Sequence, residues 1–123
     1  MAKSIKHIFK KKNNYKIGGN LLIECGGQRF FGPGRVELLE LIDETGSLNK
    51  AASKMGMSYK KAWEMINELN AQSGKPLVIL RSGGEKGGGS VITGEAKELI
   101  AYHKLLRKRF QAFLDKETRR LHI

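Results

Sequence analysis

The chain has 123 residues and a mass of 13.7 kDa, with 23 Lys and Arg against 12 Asp and Glu, giving a formal charge of +11 and a pI near 10.0. A chain of this length buries roughly two-thirds of the surface its unfolded form exposes, which suits one domain with a real core and argues against two. Its longest apolar runs, Leu21 to Ile23 and Leu77 to Leu80, fall far below the roughly 18 residues of a membrane span. No apolar stretch of signal-peptide length follows the basic N-terminus, and the single Cys25 excludes an internal disulfide. These features predict a cytoplasmic protein, neither integral to nor partnered with a membrane. The charge excess points to a polyanion: nucleic acid first, an anionic membrane surface second, an acidic protein third.

Residues 1–20 hold six Lys and no acid, interrupted by Asn13-Asn14 and Gly18-Gly19. Without a periodic apolar face, residues 1–18 are predicted to form a flexible basic arm, and 19–123 a single folded domain. Leu21 to Cys25 and Arg29 to Phe31 flank Gly26-Gly27-Gln28 as a short hairpin. Gly32-Pro33-Gly34 then leads into a first helix from Arg35 to Thr45, with Val36, Leu38, Leu39, Leu41 and Ile42 at helical spacing. Ser47 can cap a short second helix carrying Leu48, Ala51, Ala52 and Met55, stopped by Gly56. Ser58 caps a third, running to about Ser73, on which Ala62, Ile66 and Leu69 form the apolar stripe. Leu77 to Arg81 and Ser90 to Ile92 read as two strands around a glycine-rich loop with a basic tip. Thr93 caps a long last helix, expected over about 94–117.

Two short helices joined by a tight glycine-containing turn describe a helix-turn-helix, and the strand-loop-strand that follows makes it a winged one. The fold class expected is therefore mainly α with a small β component. The layout suits duplex DNA, because the major groove is about 12 Å wide and admits one helix whose first turns carry donors. Tyr59, Lys60 and Lys61 occupy those turns. On a wheel of about 100° per residue, Lys60, Glu64 and Asn67 point away from the core stripe and are the groove-facing candidates. Asn67 is the best suited of these to bidentate contact with adenine. Tyr59 and Trp63 fall on the flank, Trp63 mainly as a packing residue that also touches the DNA backbone, with direct base contact as the alternative. Ser58, with the amides of its turn, and Ser47, Asn49 and Lys50 from the preceding helix complete the contact set on that side. Arg81, Lys86, Gly87 and Gly88 are the wing candidates. Charge follows the same plan: residues 47–92 carry +4 and residues 21–46 carry −3.

The loop lacks both the G-x-x-x-x-G-K-[ST] and G-x-G-x-x-G patterns of nucleotide-binding turns. His7, His103 and His122 lie in the arm, a helix and the tail, with no Cys or His pair at metal-ligand spacing. No metal, cofactor or enzymatic activity is expected, and His103 reads as an ordinary helix residue. The last helix carries more apolar surface than one small core can cover, so its far half is expected to pair with a second copy. Leu99, Tyr102, His103, Leu106, Phe110, Phe113 and Leu114 are the candidate dimer contacts.

Three strings carry a family resemblance: Gly46-Ser47-Leu48-x-x-Ala51-Ala52, Ser58-Tyr59-Lys60-x-Ala62-Trp63-x-x-Ile66-Asn67-x-x-Asn70, and Gly84-x-Lys86-Gly87-Gly88-Gly89. Together they resemble the N-terminal DNA-binding domain of ModE-type, molybdate-responsive transcriptional regulators over about Phe31 to Leu114, and more distantly the helix-turn-helix of LysR-type regulators. The resemblance implies a winged helix-turn-helix that dimerises partly through its last helix and regulates genes of molybdate uptake and molybdoenzymes. Full-length members continue into molybdate-binding domains. The 123 residues are similar to the stand-alone DNA-binding form, so no molybdate-binding residue is carried over and the effector is left open. The function expected is that of a sequence-specific, dimeric transcriptional regulator. Its rivals are an architectural protein that coats DNA or RNA without reading bases, and a winged-helix adaptor that pairs with an acidic protein.

Overall fold

A computed structural model describes residues 4–81 and 89–122. The elements are β1 (Ile23–Cys25), β2 (Gln28–Phe31), α1 (Pro33–Thr45), α2 (Leu48–Lys54), α3 (Tyr59–Gln72), β3 (Val78–Leu80), β4 (Ser90–Ile92) and α4 (Gly94–His122), with a short 3-10 turn at Lys6–Ile8. Two separate antiparallel hairpins flank the helices: β1 with β2, and β3 with β4. The expected winged helix-turn-helix is present.

Local chemistry accounts for most boundaries. The β1–β2 turn is two residues rather than three, because Gly26 and Gly27 both take positive φ (58° and 79°) and Gln28 already pairs with Cys25. Two successive positive φ values are what a tight right-twisting hairpin connection requires. Pro33 sits in the first turn of α1, and α1 ends where the Gly46 N–H reaches the Ile42 carbonyl at 2.7 Å. Ser47 and Ser58 cap α2 and α3 as anticipated: each hydroxyl accepts from the amide three residues on, at 3.1 Å. Thr93 caps α4 by accepting from the Ala96 N–H at 3.2 Å.

The core is one cluster. Leu38, Leu39 and Ile42 of α1 meet Ala51 and Ala52 of α2, Ala62, Ile66 and Leu69 of α3, and Ala96 and Ile100 of α4, with Phe31 closing the side beneath β2. The paired alanines, at most 1% exposed, let α2 approach α3 closely.

One boundary differs from expectation at the C-terminal end. The last helix continues five residues past 117, to His122, because residues 118–122 contain no glycine or proline and its last turn carries Arg119, Arg120 and His122. Cations at that end complement the helix dipole. Residues 15–21 run antiparallel along α4 as a strap. The Tyr15 carbonyl lies 2.6 Å from His122 Nε2, the Ile17 N–H donates to Thr118 Oγ1 at 3.0 Å, and a Cβ at Gly19 would stand 3.3 Å from the Phe110 ring. Further along, the Leu21 carbonyl lies 3.4 Å from His103 Nε2.

Candidate nucleic-acid interface

α2 and α3 are joined by Met55 to Ser58, with Gly56 at φ 69°, a left-handed residue that reverses the chain in four residues. Ala62, Ile66 and Leu69 turn inward and are fully buried. That fixes which side of α3 faces solvent. Tyr59, Lys60, Trp63, Glu64 and Asn67 are all exposed along it, as the wheel predicts for Lys60, Glu64 and Asn67. Trp63 is 44% exposed and Tyr59 51% exposed. Both rings stand on the presented surface, where an aromatic plane and a polar edge are available to sugar, phosphate or base. Asn49 and Lys50 are exposed at the start of α2, and Ser47 is half-buried by its cap.

Lys61 is brought elsewhere. It lies on the opposite flank of α3, in a cleft of about 550 Å³ shared with Arg29, Arg35, Met65, Glu68 and Gln72. Arg35 is the pivot of that flank. Its guanidinium, 8% exposed in the side chain, pairs with Glu68 and donates to the Phe30 carbonyl at 2.7 Å, the Arg29 carbonyl at 3.2 Å and Gln72 Oε1 at 3.1 Å. The bonds tie β2 to the far half of α3. Helical periodicity gives no sign of this, since Arg35 sits in the first turn of α1 among residues that are otherwise apolar.

The wing root is fixed by two polar residues, Asn70 and Ser90, to which helical and strand periodicity assign no role. Asn70 Oδ1 accepts from the amides of Leu77 (2.8 Å) and Val78 (3.2 Å), and its Nδ2 donates to the Val78 carbonyl (3.0 Å). This satisfies the edge of β3 that faces away from β4. Ser90, 4% exposed, accepts from the Leu48 N–H at 3.1 Å, while its own N–H donates to the Gly46 carbonyl at 2.9 Å. The wing is therefore held to α3 on one side and to the α1–α2 turn on the other. Arg81 is exposed just beyond β3, and its N–H extends the ladder to the Gly89 carbonyl at 2.9 Å. Lys86, Gly87 and Gly88 lie outside the described residues.

The candidate dimer contacts separate into two faces of α4. His103 and Leu114, 0% and 5% exposed, are buried within the chain itself and are not free to meet a second copy. The His103 ring stands edge-on to Phe31, centroids 5.4 Å apart, and its Nδ1 has no hydrogen-bond partner among the described residues. Phe110 is half-buried beside Gly19, and Leu99 packs partly on the core. Tyr102 and Phe113 remain exposed and Leu106 half-exposed, joined by Leu105, which the sequence reading passed over. The reason is geometric: the strap covers one side of α4, and periodicity alone could not say which apolar side it would take.

Comparison with known proteins gives this geometry a family. The profile of bacterial regulatory helix-turn-helix proteins of the lysR family matches residues 34–96, from the start of α1 to the first turn of α4. The chain belongs to that family. The chain is similar to the molybdenum transport protein ModE of Azotobacter vinelandii, 38% identical over 87 residues, 71% of this chain and 32% of the relative. It is similar to the DNA-binding transcriptional dual regulator ModE of Escherichia coli, 41% identical over 95 residues, 77% of this chain and 36% of the relative. The molybdenum-pterin-binding protein MopB of Rhodobacter capsulatus is 41% identical over 81 residues, 66% of this chain and 30% of the relative. The matched segment thus spans about a third of the length of these curated relatives. Over that segment the chain is similar to ModE regulators, and the family it belongs to is one of regulatory helix-turn-helix proteins. Among the described residues no helix is long and apolar enough to cross a membrane.

Proposed function

We propose that the chain is a sequence-specific transcriptional regulator that binds duplex DNA as a homodimer, with molybdate-linked genes as its target class. The observation that carries this reading is the solvent face of α3. A helix capped by Ser58 and braced by Arg35 and Asn70 presents Lys60, Trp63, Glu64 and Asn67 together on one exposed side. In a major groove, Asn67 addresses a base edge and Lys60 a phosphate or guanine, while the Tyr59 and Lys60 amides, ahead of the capped Lys61 amide, can take a phosphate. The target class comes from the names of the relatives. The dimer comes from the exposed row of Tyr102, Leu105 and Phe113 on α4, and doubling the half-sites multiplies affinity. The reading assigns no cofactor, leaves the effector open, and places the protein in the cytoplasm with its DNA.

The test is selection of binding sites from a random duplex pool by the purified chain, with and without molybdate. A two-fold-related motif is expected. Lys60→Ala should weaken binding to every duplex, whereas Asn67→Ala should flatten preference at one position of each half-site, about 1–3 kcal/mol of discrimination. A pool that enriches nothing at low salt would leave a coating protein as the better account.

A further inference from the structure

The lysine segment has no part in the helix-turn-helix, yet the structure gives it a fixed place. The turn at Lys6–Ile8 leads to Phe9, whose ring packs on Tyr15 with centroids 4.6 Å apart, and the Lys10 N–H donates to Tyr15 Oη at 3.0 Å. Tyr15 is in turn held to His122 through its carbonyl. The segment thus folds onto the C-terminal end of α4. It brings Lys6, Lys10 and Lys11 to a cleft shared with Leu121 and His122; Lys12 and Lys16 of the segment, and Lys116, Arg119 and Arg120 of the same end of α4, are exposed as well. Asp115 and Glu117 are the acids there, and Arg120 alone of the eight cations is in an ion pair among the described residues, with Glu117 at 3.2 Å. A cleft of about 320 Å³ opens between the two parts, lined by Lys6, Lys10, Lys11, Tyr15 and His122.

This basic end is remote from α3. Ile100 lies in the core, and at about 1.5 Å per residue His122 stands roughly 33 Å further along α4. That distance is about one helical turn of duplex DNA. Six of the eight are lysines, point charges that suit phosphates rather than base edges. An anionic membrane suits them less: Ile5 and Ile8 are exposed, but two apolar side chains on a three-residue turn are not the amphipathic helix that surface insertion needs.

We propose that the lysine segment docked on the end of α4 is a second phosphate-binding surface, which grips duplex DNA outside the stretch that α3 covers. It rests on the chain being a DNA-binding protein and not on its being sequence-specific. Its contribution is electrostatic and blind to sequence. It adds to affinity by releasing counterions, and it reaches only duplexes long enough to extend past the site.

The experiment compares the full chain with the variant Lys6→Gln, Lys10→Gln, Lys11→Gln, Lys12→Gln, and with Arg119→Gln, Arg120→Gln as an independent change on the helix side. Affinity is measured against salt for one duplex trimmed to the length α3 covers and one extended by a helical turn on each side. For the parent chain the extended duplex binds more tightly and with a steeper salt slope. The lysine variant lowers that slope by about 3 to 4, at roughly 0.9 per lost phosphate contact, removes the gain from extension, and leaves the selected motif unchanged. Replacing the same four lysines with arginine keeps the slope, which separates charge from folding. Equal slopes and equal length dependence in parent and variant would overturn the proposal. So would a loss of binding to phosphatidylglycerol vesicles with the DNA slope intact. Because the slopes can be read on any duplex, failure to select a motif and failure of this surface are distinguishable.

Discussion

Replacing Asn70 with alanine tests how the wing is held to the recognition helix. The side chain makes three bonds to the chain that follows it, two from its oxygen to the amides of Leu77 and Val78 and one from its nitrogen to the Val78 carbonyl. Leu77 and Val78 are 3% and 2% exposed, so their amides have little access to water once the partner is gone. A buried donor left without a partner costs about 1–3 kcal/mol. Two such amides, partly relieved because Asn70 itself is only half-buried, give an expected loss of about 2–4 kcal/mol. In a domain of this size that is a fall of roughly 8–16 °C in Tm. Asn70→Asp keeps the acceptor for both amides but sets a carboxylate oxygen against the Val78 carbonyl where the amide had donated, so it should recover only part of the loss. Urea and thermal unfolding followed by circular dichroism read both values. An alanine variant within about 0.5 kcal/mol of the parent, the range of an ordinary surface change, would refute the account of Asn70 as the clamp.

At Ser90, alanine removes the acceptor of the buried Leu48 N–H and should cost about 1–3 kcal/mol in the same assay, against no measurable change if water replaces the hydroxyl. On α4, Tyr102→Glu with Phe113→Glu places charge on the exposed row while leaving the strap side untouched. The double variant should sediment as a folded monomer where the parent is a dimer, and lose about 100-fold or more in affinity for a two-half-site duplex. A parent that is monomeric at concentrations where it binds DNA would remove the basis of that expectation.

What could be read from the sequence was what is decided within a turn or two of chain. Ser47, Ser58 and Thr93 each satisfy an amide three residues away, so their positions mark helix starts without any knowledge of the fold. The stripe of Ala62, Ile66 and Leu69 identifies its own opposite face. The parts that were not legible depend on partners distant in sequence. Residues 15–21 have no periodicity because they bind α4 through backbone groups and a bare glycine surface, which leave no pattern of side chains. His103 looks like any helical histidine until Phe31 and Leu21 are placed beside it. Arg35 and Asn70, a cation and an amide, would ordinarily be assigned to solvent, yet each serves backbone groups that no neighbouring strand satisfies.

The strap also changes how the charge of +11 is to be understood. α1 presents Glu37, Glu40, Asp43 and Glu44 to solvent, and two of these are met by cations from neighbouring helices: Lys104 reaches Glu40 at 3.2 Å and Lys54 reaches Glu44 at 3.6 Å. Exposed pairs of this kind add little to stability, about 0–1 kcal/mol each. They do cancel field locally, but the solvent face of α1 stays acidic. Positive charge lies elsewhere, on the helix-turn-helix, on the strap end of α4 and along the middle of α4, where Lys97, Arg107, Lys108 and Arg109 are exposed. A surface basic on every side would bind DNA in any orientation. An acidic face on α1 excludes orientations that turn that helix toward the phosphates, because like charges there are repelled over roughly a Debye length of about 8–10 Å. The non-specific charge thereby orients α3 before any base is read, and residues that contact no base edge still contribute to where Asn67 arrives.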